Sequence, residues 1–151
     1  MTQMHFGKDF AEILLELSAA GVEFLVVGAH AVAAHGVTRT TKDFDIWVKP
    51  TPENARRVWS ALLQFGAPIE DLTVEDLSVP GTVFQMGRPP NRIDIITSIR
   101  AVEFDEAWPN RLEAKMGGGW YPVIGKSDLI RNKRAVGRDY DIADANKLSR
   151  Q

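Results

Sequence analysis

The stretch Arg39-Thr40-Thr41-Lys42-Asp43-Phe44-Asp45, continued by Ile46-Trp47-Val48, carries most of what this chain discloses about fold and chemistry. Apolar residues at 44, 46 and 48 alternate with Asp43 and Asp45, and a period of two predicts a β-strand. The two carboxylates then project from one face, while the apolar side chains face a core. Two like charges this close repel each other unless a cation lies between them, so the pattern suits divalent metal ions held over a phosphate. Two solvent-facing strand residues would show the same short pattern.

A third carboxylate lies in the run Arg92-Ile93-Asp94-Ile95-Ile96-Thr97. Ile93 and Ile95 take the core parity, so we expect Asp94 to be exposed on the other face of a neighbouring strand. Carboxylates on adjacent strands suit two-metal phosphoryl transfer, in which one metal steadies the phosphates and the other activates a hydroxyl.

Gly28 separates a short β-rich run, residues 23–27, from an alanine-rich segment, residues 29–35, that we read as a short helix. A helix start offers free backbone N–H groups to a phosphate, and glycine lets the phosphate approach closely. Arg39 and Lys42 add cations that could neutralise phosphate oxygens.

The rest of the chain predicts an α/β (α+β) fold, with a small mixed β-sheet and helices packed mainly on one face. Residues 68–81 are acidic and turn-rich, and we expect an irregular connection there. We treat residues 1–151 as one domain in which residues 126–151 form a C-terminal helical segment. The other predicted helices are residues 10–17 and 52–66, and the other predicted strands are residues 82–86 and 120–124.

The composition of the 151 residues is ordinary for a globular domain, with 44% hydrophobic and 25% charged residues. A net charge of −2 excludes a globally basic nucleic-acid binder, and the lack of cysteine excludes disulfides and thiolate chemistry. The first residues show no secretory signal pattern, and no apolar stretch is long and uninterrupted enough for a membrane span. We therefore expect a cytoplasmic protein without a membrane partner.

The combination of Gly28-Ala29, Arg39-x-Thr41-x-Asp43-Phe44-Asp45-Ile46 and the distal Asp94 resembles the nucleotidyltransferase superfamily related to DNA polymerase beta. More narrowly, it resembles the minimal nucleotidyltransferases of prokaryotes, some of which belong to toxin–antitoxin or phage-defence systems. The tail from Ser127 to Asp144 is similar to the closing helical segment of such proteins. The resemblance spans about residues 26–148.

The resemblance implies a nucleotidyltransferase fold and a set of site residues. Asp43, Asp45 and Asp94 would be the catalytic residues and the ligands of Mg²⁺ or Mn²⁺, with Asp94 helping to deprotonate the acceptor hydroxyl. Gly28 and Ala29 would cradle the β- and γ-phosphates of a nucleoside triphosphate, with ATP as the expected nucleotide. Our further nucleotide-binding candidates are Arg39, Thr41 (which we expect to orient the turn into the strand) and Lys133 from the basic cluster of the tail.

The leading hypothesis is a metal-dependent nucleotidyltransferase whose acceptor hydroxyl belongs to a protein, a tRNA or a small molecule. The alternative is a catalytically weak or inactive protein of the same fold that acts as a binding partner, such as a toxin–antitoxin component. Ala29, where the family often has serine, and Tyr140, where relatives often have lysine, keep this alternative open. A homodimer is compatible with either. A phosphohydrolase with Asp43 as nucleophile is disfavoured because the apolar strand continues beyond it.

Overall fold

A mixed six-stranded sheet organises the protein in the computed structural model, which describes residues 7–39 and 43–151. Across the sheet the strands follow the order β3-β4-β2-β1-β6-β5. They are β1 (Phe24–Val27), β2 (Asp43–Val48), β3 (Val83–Met86), β4 (Arg92–Ile96), β5 (Leu112–Met116) and β6 (Gly119–Val123). The α-helices of the described residues are α1 (Lys8–Ala19), α2 (Gly28–Ala34), α3 (Pro52–Phe65), α4 (Val74–Leu77), α5 (Phe104–Ala107), α6 (Lys126–Val136) and α7 (Asp139–Ser149), and a 3₁₀ turn spans Trp108–Asn110.

Strand β2 lies in the middle of the sheet, antiparallel to β1 and parallel to β4. Strand β1 also pairs in parallel with β6, whereas β3 and β5 are antiparallel edge strands. The mixed sheet with helices agrees with the predicted fold class. The parallel β2–β4 pair is central to the site, because it aligns two acidic sequence segments that are far apart in the chain.

The apolar parity of β2 forms the centre of the core, as the alternating sequence predicts. Phe44, Ile46 and Val48 have no exposed surface, and helix α3 packs on β2 and on α1. Helix α3 begins at Pro52 after Thr51, whose side chain accepts a hydrogen bond from Asn54 N at 3.2 Å.

The segment between α3 and β3 differs from the irregular connection expected from sequence. Helix α4 forms there, and its Leu77 is fully buried. Thr73 accepts a hydrogen bond from Asp76 N, and the Asp76 carboxylate accepts one from Thr73 N, which is a capping box. The reciprocal cap satisfies the backbone of a helix only four residues long, too short to show a hydrophobic period.

None of the helices within residues 7–39 and 43–151 combines the length and the apolar character that crossing a membrane requires.

Asn54 ties the start of α3 to the ends of β1 and β2. It is 2% exposed, and its side chain accepts a hydrogen bond from Glu23 N at 2.8 Å and donates to the carbonyl oxygens of Glu23 and Lys49, each at 3.0 Å. A buried amide in this position satisfies backbone groups that would otherwise be unpaired.

We expect Asn54→Ala to lower the free energy of unfolding by about 2 to 3 kcal/mol, because it leaves buried backbone groups without partners. Chemical denaturation monitored by circular dichroism measures this. Asn146→Ala, at an exposed position of α7, is the matched control and should change stability by less than about 0.5 kcal/mol. Equal effects of the two variants would contradict the role assigned to Asn54.

Candidate active site

Three aspartates and one arginine lie on the sheet face opposite the apolar parity of β2. In the parallel β2–β4 pair, Asp45 is the register partner of Asp94, and Asp43 is the partner of Arg92. Because side chains alternate across a strand, all four project to the same side. The sequence expectation that Asp43, Asp45 and Asp94 lie on one face of neighbouring strands is therefore confirmed. Asp94 is only 8% exposed, however, so the expectation that it is exposed is wrong.

Gly28, at the junction of β1 and α2, lies directly against Asp45. Its φ angle is +70°, a conformation that L side chains rarely adopt, and a Cβ atom at this position would overlap Asp45 Oδ2 and lie 3.1 Å from Asp45 Cγ. The close approach follows from the β1–β2 register, in which Val27 is opposite Asp45. Glycine is needed here for backbone conformation and for space, and the strand-to-helix transition that the sequence predicts is present.

Arg92 is a member of the site that sequence reasoning missed. Its Nη2 donates to Asp43 Oδ2 at 2.6 Å, and its Nε lies 3.3 Å from Asp94 Oδ1. The signal was present in the sequence, because Arg92 lies two residues before Asp94 and must share its face. Within residues 7–39 and 43–151, no group of three or more acidic or histidine side chains is already drawn together as a metal-binding cluster. The Arg92 guanidinium contacts two of the three carboxylates.

Burial and mutual repulsion raise the affinity of the carboxylates for protons. Burial raises the pKa of Asp45 to about 6, and repulsion from Asp94 and Asp43 contributes, while the positive charge of Lys133 acts in the opposite direction. Burial also raises the pKa of Asp94, although Arg92 opposes this shift. Asp45 therefore titrates closer to neutral pH than an ordinary aspartate.

Lys133, from α6, belongs to a buried charge network with α7. It is 6% exposed, and its Nζ lies 3.2 Å from Asp141 Oδ1 and 3.4 Å from Asp144 Oδ2. Arg39 forms an ion pair with Asp144, and Arg138 Nε donates to Asp141 Oδ2 at 2.6 Å. Although burial raises the pKa of Asp141, the hydrogen bonds from Arg138 and Lys133 outweigh it and leave that pKa lowered.

Two further nucleotide-binding candidates from sequence are Ala29 and Thr41. Ala29 is half-buried in the first turn of α2. Thr41 lies outside the described residues.

His30 is buried between the rings of Phe10 and Phe44, and burial lowers its pKa to about 4, while Asp43 opposes the shift. His30 is therefore neutral at pH 7 and supports the start of β2 by packing.

Trp47 marks the limit of the polar face. It shares the parity of Asp45, yet it is 1% exposed and packs edge-to-face on Phe104 with the ring centroids 5.0 Å apart. The polar stretch of this face is thus confined to the first half of β2 and β4, and α5 covers the other half.

We expect Gly28→Ala to destabilise the protein by about 1 to 2 kcal/mol from its backbone conformation alone, and further from the clash with Asp45. Gly21→Ala is the matched control, because Gly21 has φ +74° but no atom within 4 Å of the place that a Cβ would take. Thermal unfolding should therefore show a larger loss for Gly28→Ala than for Gly21→Ala. In the double variant, Asp45→Ala should recover the additional stability that Gly28→Ala loses through the clash. Strictly additive changes in stability would contradict the contact between Gly28 and Asp45.

The raised pKa of Asp45 predicts a stability that depends on pH in the absence of metal. The folded protein holds a proton on Asp45 up to about pH 6, whereas the unfolded chain releases it near pH 4, so stability decreases as the pH rises through this window. In EDTA, the free energy of unfolding of Asp45→Asn relative to that of the parent should rise by on the order of 2 kcal/mol between about pH 4 and pH 7. Asp71→Asn, in an exposed turn, should show no such trend. Denaturant titrations at each pH measure this, and a difference that is constant with pH would contradict the assignment.

The comparisons with known proteins address the fold. No family model matches the chain, and no curated protein matches it. Several solved structures do match. The solution structure of the antibiotic-resistance factor ANT(2'')-Ia matches at 15% sequence identity and a TM-score of 0.63, over 93% of this chain and 80% of that one. A crystal structure of ANT(2'')-Ia in complex with adenylyl-2''-tobramycin matches at 17% identity and a TM-score of 0.60, over 91% of this chain and 83% of that one. A candidate nucleotidyltransferase of Thermotoga maritima, TM1012, matches at 15% identity and a TM-score of 0.61, over 99% of this chain and 98% of that one. The chain has the nucleotidyltransferase fold.

Proposed function

We propose that this chain is a divalent-metal-dependent nucleotidyltransferase, which moves a nucleoside monophosphate from a nucleoside triphosphate to an acceptor hydroxyl. The observation that carries the proposal is the alignment of Asp43, Asp45 and Asp94 on one face of the β2–β4 pair, with Gly28 against Asp45. The solved structures with this fold give independent support, because one is described with an adenylylated product.

The donor set fits a metal ion of the Mg²⁺ or Mn²⁺ class. All three side chains offer carboxylate oxygens, which these hard cations prefer. Burial and mutual repulsion raise the pKa of Asp45, and a dication between the groups would relieve the repulsion. Asp94 Oδ1 is buried and makes no hydrogen bond within the described residues; its partner is the Arg92 guanidinium at 3.3 Å, with which a metal would compete. A bound metal supplies charge neutralisation for the phosphates and acidifies the acceptor hydroxyl.

The residues of the site would have different roles in binding the triphosphate. Asp43 and Asp45 would hold the metal that binds the triphosphate, and the missing side chain at Gly28 lets the Asp45 carboxylate lie directly against the junction of β1 and α2. Ala29 contributes its backbone at the same junction. Arg39 and Lys133 already lie together around Asp144, and they provide positive charge on the α6–α7 side of the site.

The transfer itself requires one bond to form and one to break. The acceptor oxygen forms a bond to the α-phosphorus, the bond from the α-phosphorus to the α,β-bridging oxygen breaks, and pyrophosphate leaves. The acceptor proton passes to the carboxylate of Asp94. Burial raises the pKa of that carboxylate in the metal-free protein.

We expect Asp43→Asn, Asp45→Asn and Asp94→Asn each to lower nucleotide transfer at least about a thousandfold, because each change removes a negative charge that neutralises or orients the reacting groups. The assay supplies four α-labelled nucleoside triphosphates with Mg²⁺ or Mn²⁺, presents total RNA, lysate protein and a small-molecule extract, and measures label incorporated and pyrophosphate released. Asp71→Asn is the matched exposed control and should transfer at the parent rate.

Two results would decide against the enzyme. Transfer by Asp45→Asn at the parent rate would remove the catalytic assignment. The absence of both nucleotide binding and label incorporation in the parent protein would favour the alternative, a non-catalytic binding partner of the same fold, such as a toxin–antitoxin component.

A further inference from the structure

Arg92 contacts two of the three carboxylates that would hold a metal cation. Its guanidinium bridges Asp43 and Asp94, which lie on different strands, with N–O distances of 2.6 and 3.3 Å. The bridge follows from the β2–β4 register, because Asp43 is directly opposite Arg92 and Asp94 is the next residue on the same face of β4. A metal that binds the oxygens paired with Arg92, Asp43 Oδ2 and Asp94 Oδ1, would have to displace the guanidinium.

The Arg92 side chain is able to leave. It is 31% exposed, and the side chain of Asp43 is similarly accessible at 30%, in contrast to the buried side chain of Lys133 at 8%. A guanidinium is a planar, permanently charged group that binds phosphate oxygens in pairs as well as it binds carboxylates. Arg92 also lies at the start of β4, directly after the exposed turn of residues 87–91, so its stem can turn outward without disturbing the core.

We propose that Arg92 is an exchangeable counter-ion: it neutralises Asp43 and Asp94 in the metal-free protein and transfers to the polyphosphate when metal and nucleotide bind. This inference rests on the proposed function and adds a residue that the motif does not include. The exchange keeps the charges of the site balanced in both states. Without metal, the guanidinium limits the repulsion among the carboxylates. With metal and polyphosphate present, it gains new acceptors as it loses the old ones.

The exchange has a thermodynamic consequence for binding. Metal alone must break the Arg92 contacts and offers the guanidinium nothing in return, so metal alone binds weakly. Polyphosphate supplies the replacement acceptors, so each ligand raises the affinity for the other. Removing the guanidinium should therefore raise the affinity for metal alone and lower the affinity for polyphosphate. Removing a residue that only supports the fold would weaken the binding of both ligands.

The test measures Mn²⁺ binding by isothermal titration and by electron paramagnetic resonance, with inorganic tripolyphosphate as a base-independent probe. We expect Arg92→Gln to bind Mn²⁺ alone on the order of tenfold more tightly than the parent, and to bind tripolyphosphate in the presence of Mn²⁺ on the order of tenfold more weakly. Arg88→Gln, an exposed arginine in the adjacent turn, makes the same change in net charge and should alter neither affinity by more than about twofold.

Arg92→Lys separates contact from charge, because it keeps the positive charge but lacks the fork that reaches two carboxylates. It should also bind Mn²⁺ alone more tightly than the parent, and parent-like binding of both ligands by Arg92→Lys would overturn the exchange. Should the variants not fold, the parent protein serves: the ¹⁵N resonance of Arg92 Nε should shift on adding Mg²⁺ with tripolyphosphate. No shift of that resonance would overturn the proposal.

The outcomes also separate this inference from the proposed function. Suppose that Arg92→Gln has unchanged affinities for Mn²⁺ and tripolyphosphate while the parent still transfers label. This result would contradict the exchange of Arg92 but not the proposed nucleotidyltransferase function. No Mn²⁺ binding by the parent or by Arg92→Gln would remove both.

Discussion

The parallel pairing of β2 with β4 is the constraint on which the site depends. It places Asp45 opposite Asp94 and Asp43 opposite Arg92. A shift of one residue in this register would turn the acidic side chains of one strand toward the core, while its isoleucines would turn toward the polar face. The fully buried residues of the opposite parity, among them Phe44 and Ile46, oppose such a shift. The same apolar packing that stabilises the sheet therefore also fixes the relative positions of the carboxylates.

Bringing three carboxylates onto one partly buried face has an electrostatic cost, and the structure offsets it in two ways. The raised pKa of Asp45 shows that burial and repulsion are not fully compensated in the metal-free protein. Arg92 compensates at the open end of the site, and Lys133 approaches from the buried α6–α7 side. The Arg92 guanidinium is accessible, whereas the buried Lys133 is held by Asp141 and Asp144, so the two cations are suited to different roles. Of these two cations, the accessible one can exchange partners without disturbing helix packing.

Much of the architecture was predictable because the signals are local. The two-residue period of β2, the Thr51-Pro52 start of α3 and the glycine between β1 and α2 each have a steric or hydrogen-bonding cause within a few residues. Helix α4 was missed because its stability comes from a capping box and one buried leucine rather than from a periodic stripe. The burial of Asp94 was missed for a different reason, since it depends on neighbouring strands and helices that the local sequence does not specify.

The sequence alone determined which face each aspartate takes, because the alternation of side chains is a property of any extended strand. It also indicated Gly28 as a special backbone position, although not that a side chain there would collide with the Asp45 carboxylate. Tertiary structure decided the partners: Arg92 for Asp43, Asp94 for Asp45, and Asp144 for both Arg39 and Lys133. Arg39 and Asp144 are 105 positions apart in the chain. The strand register and helix packing that bring such residues together arise only when the whole chain folds.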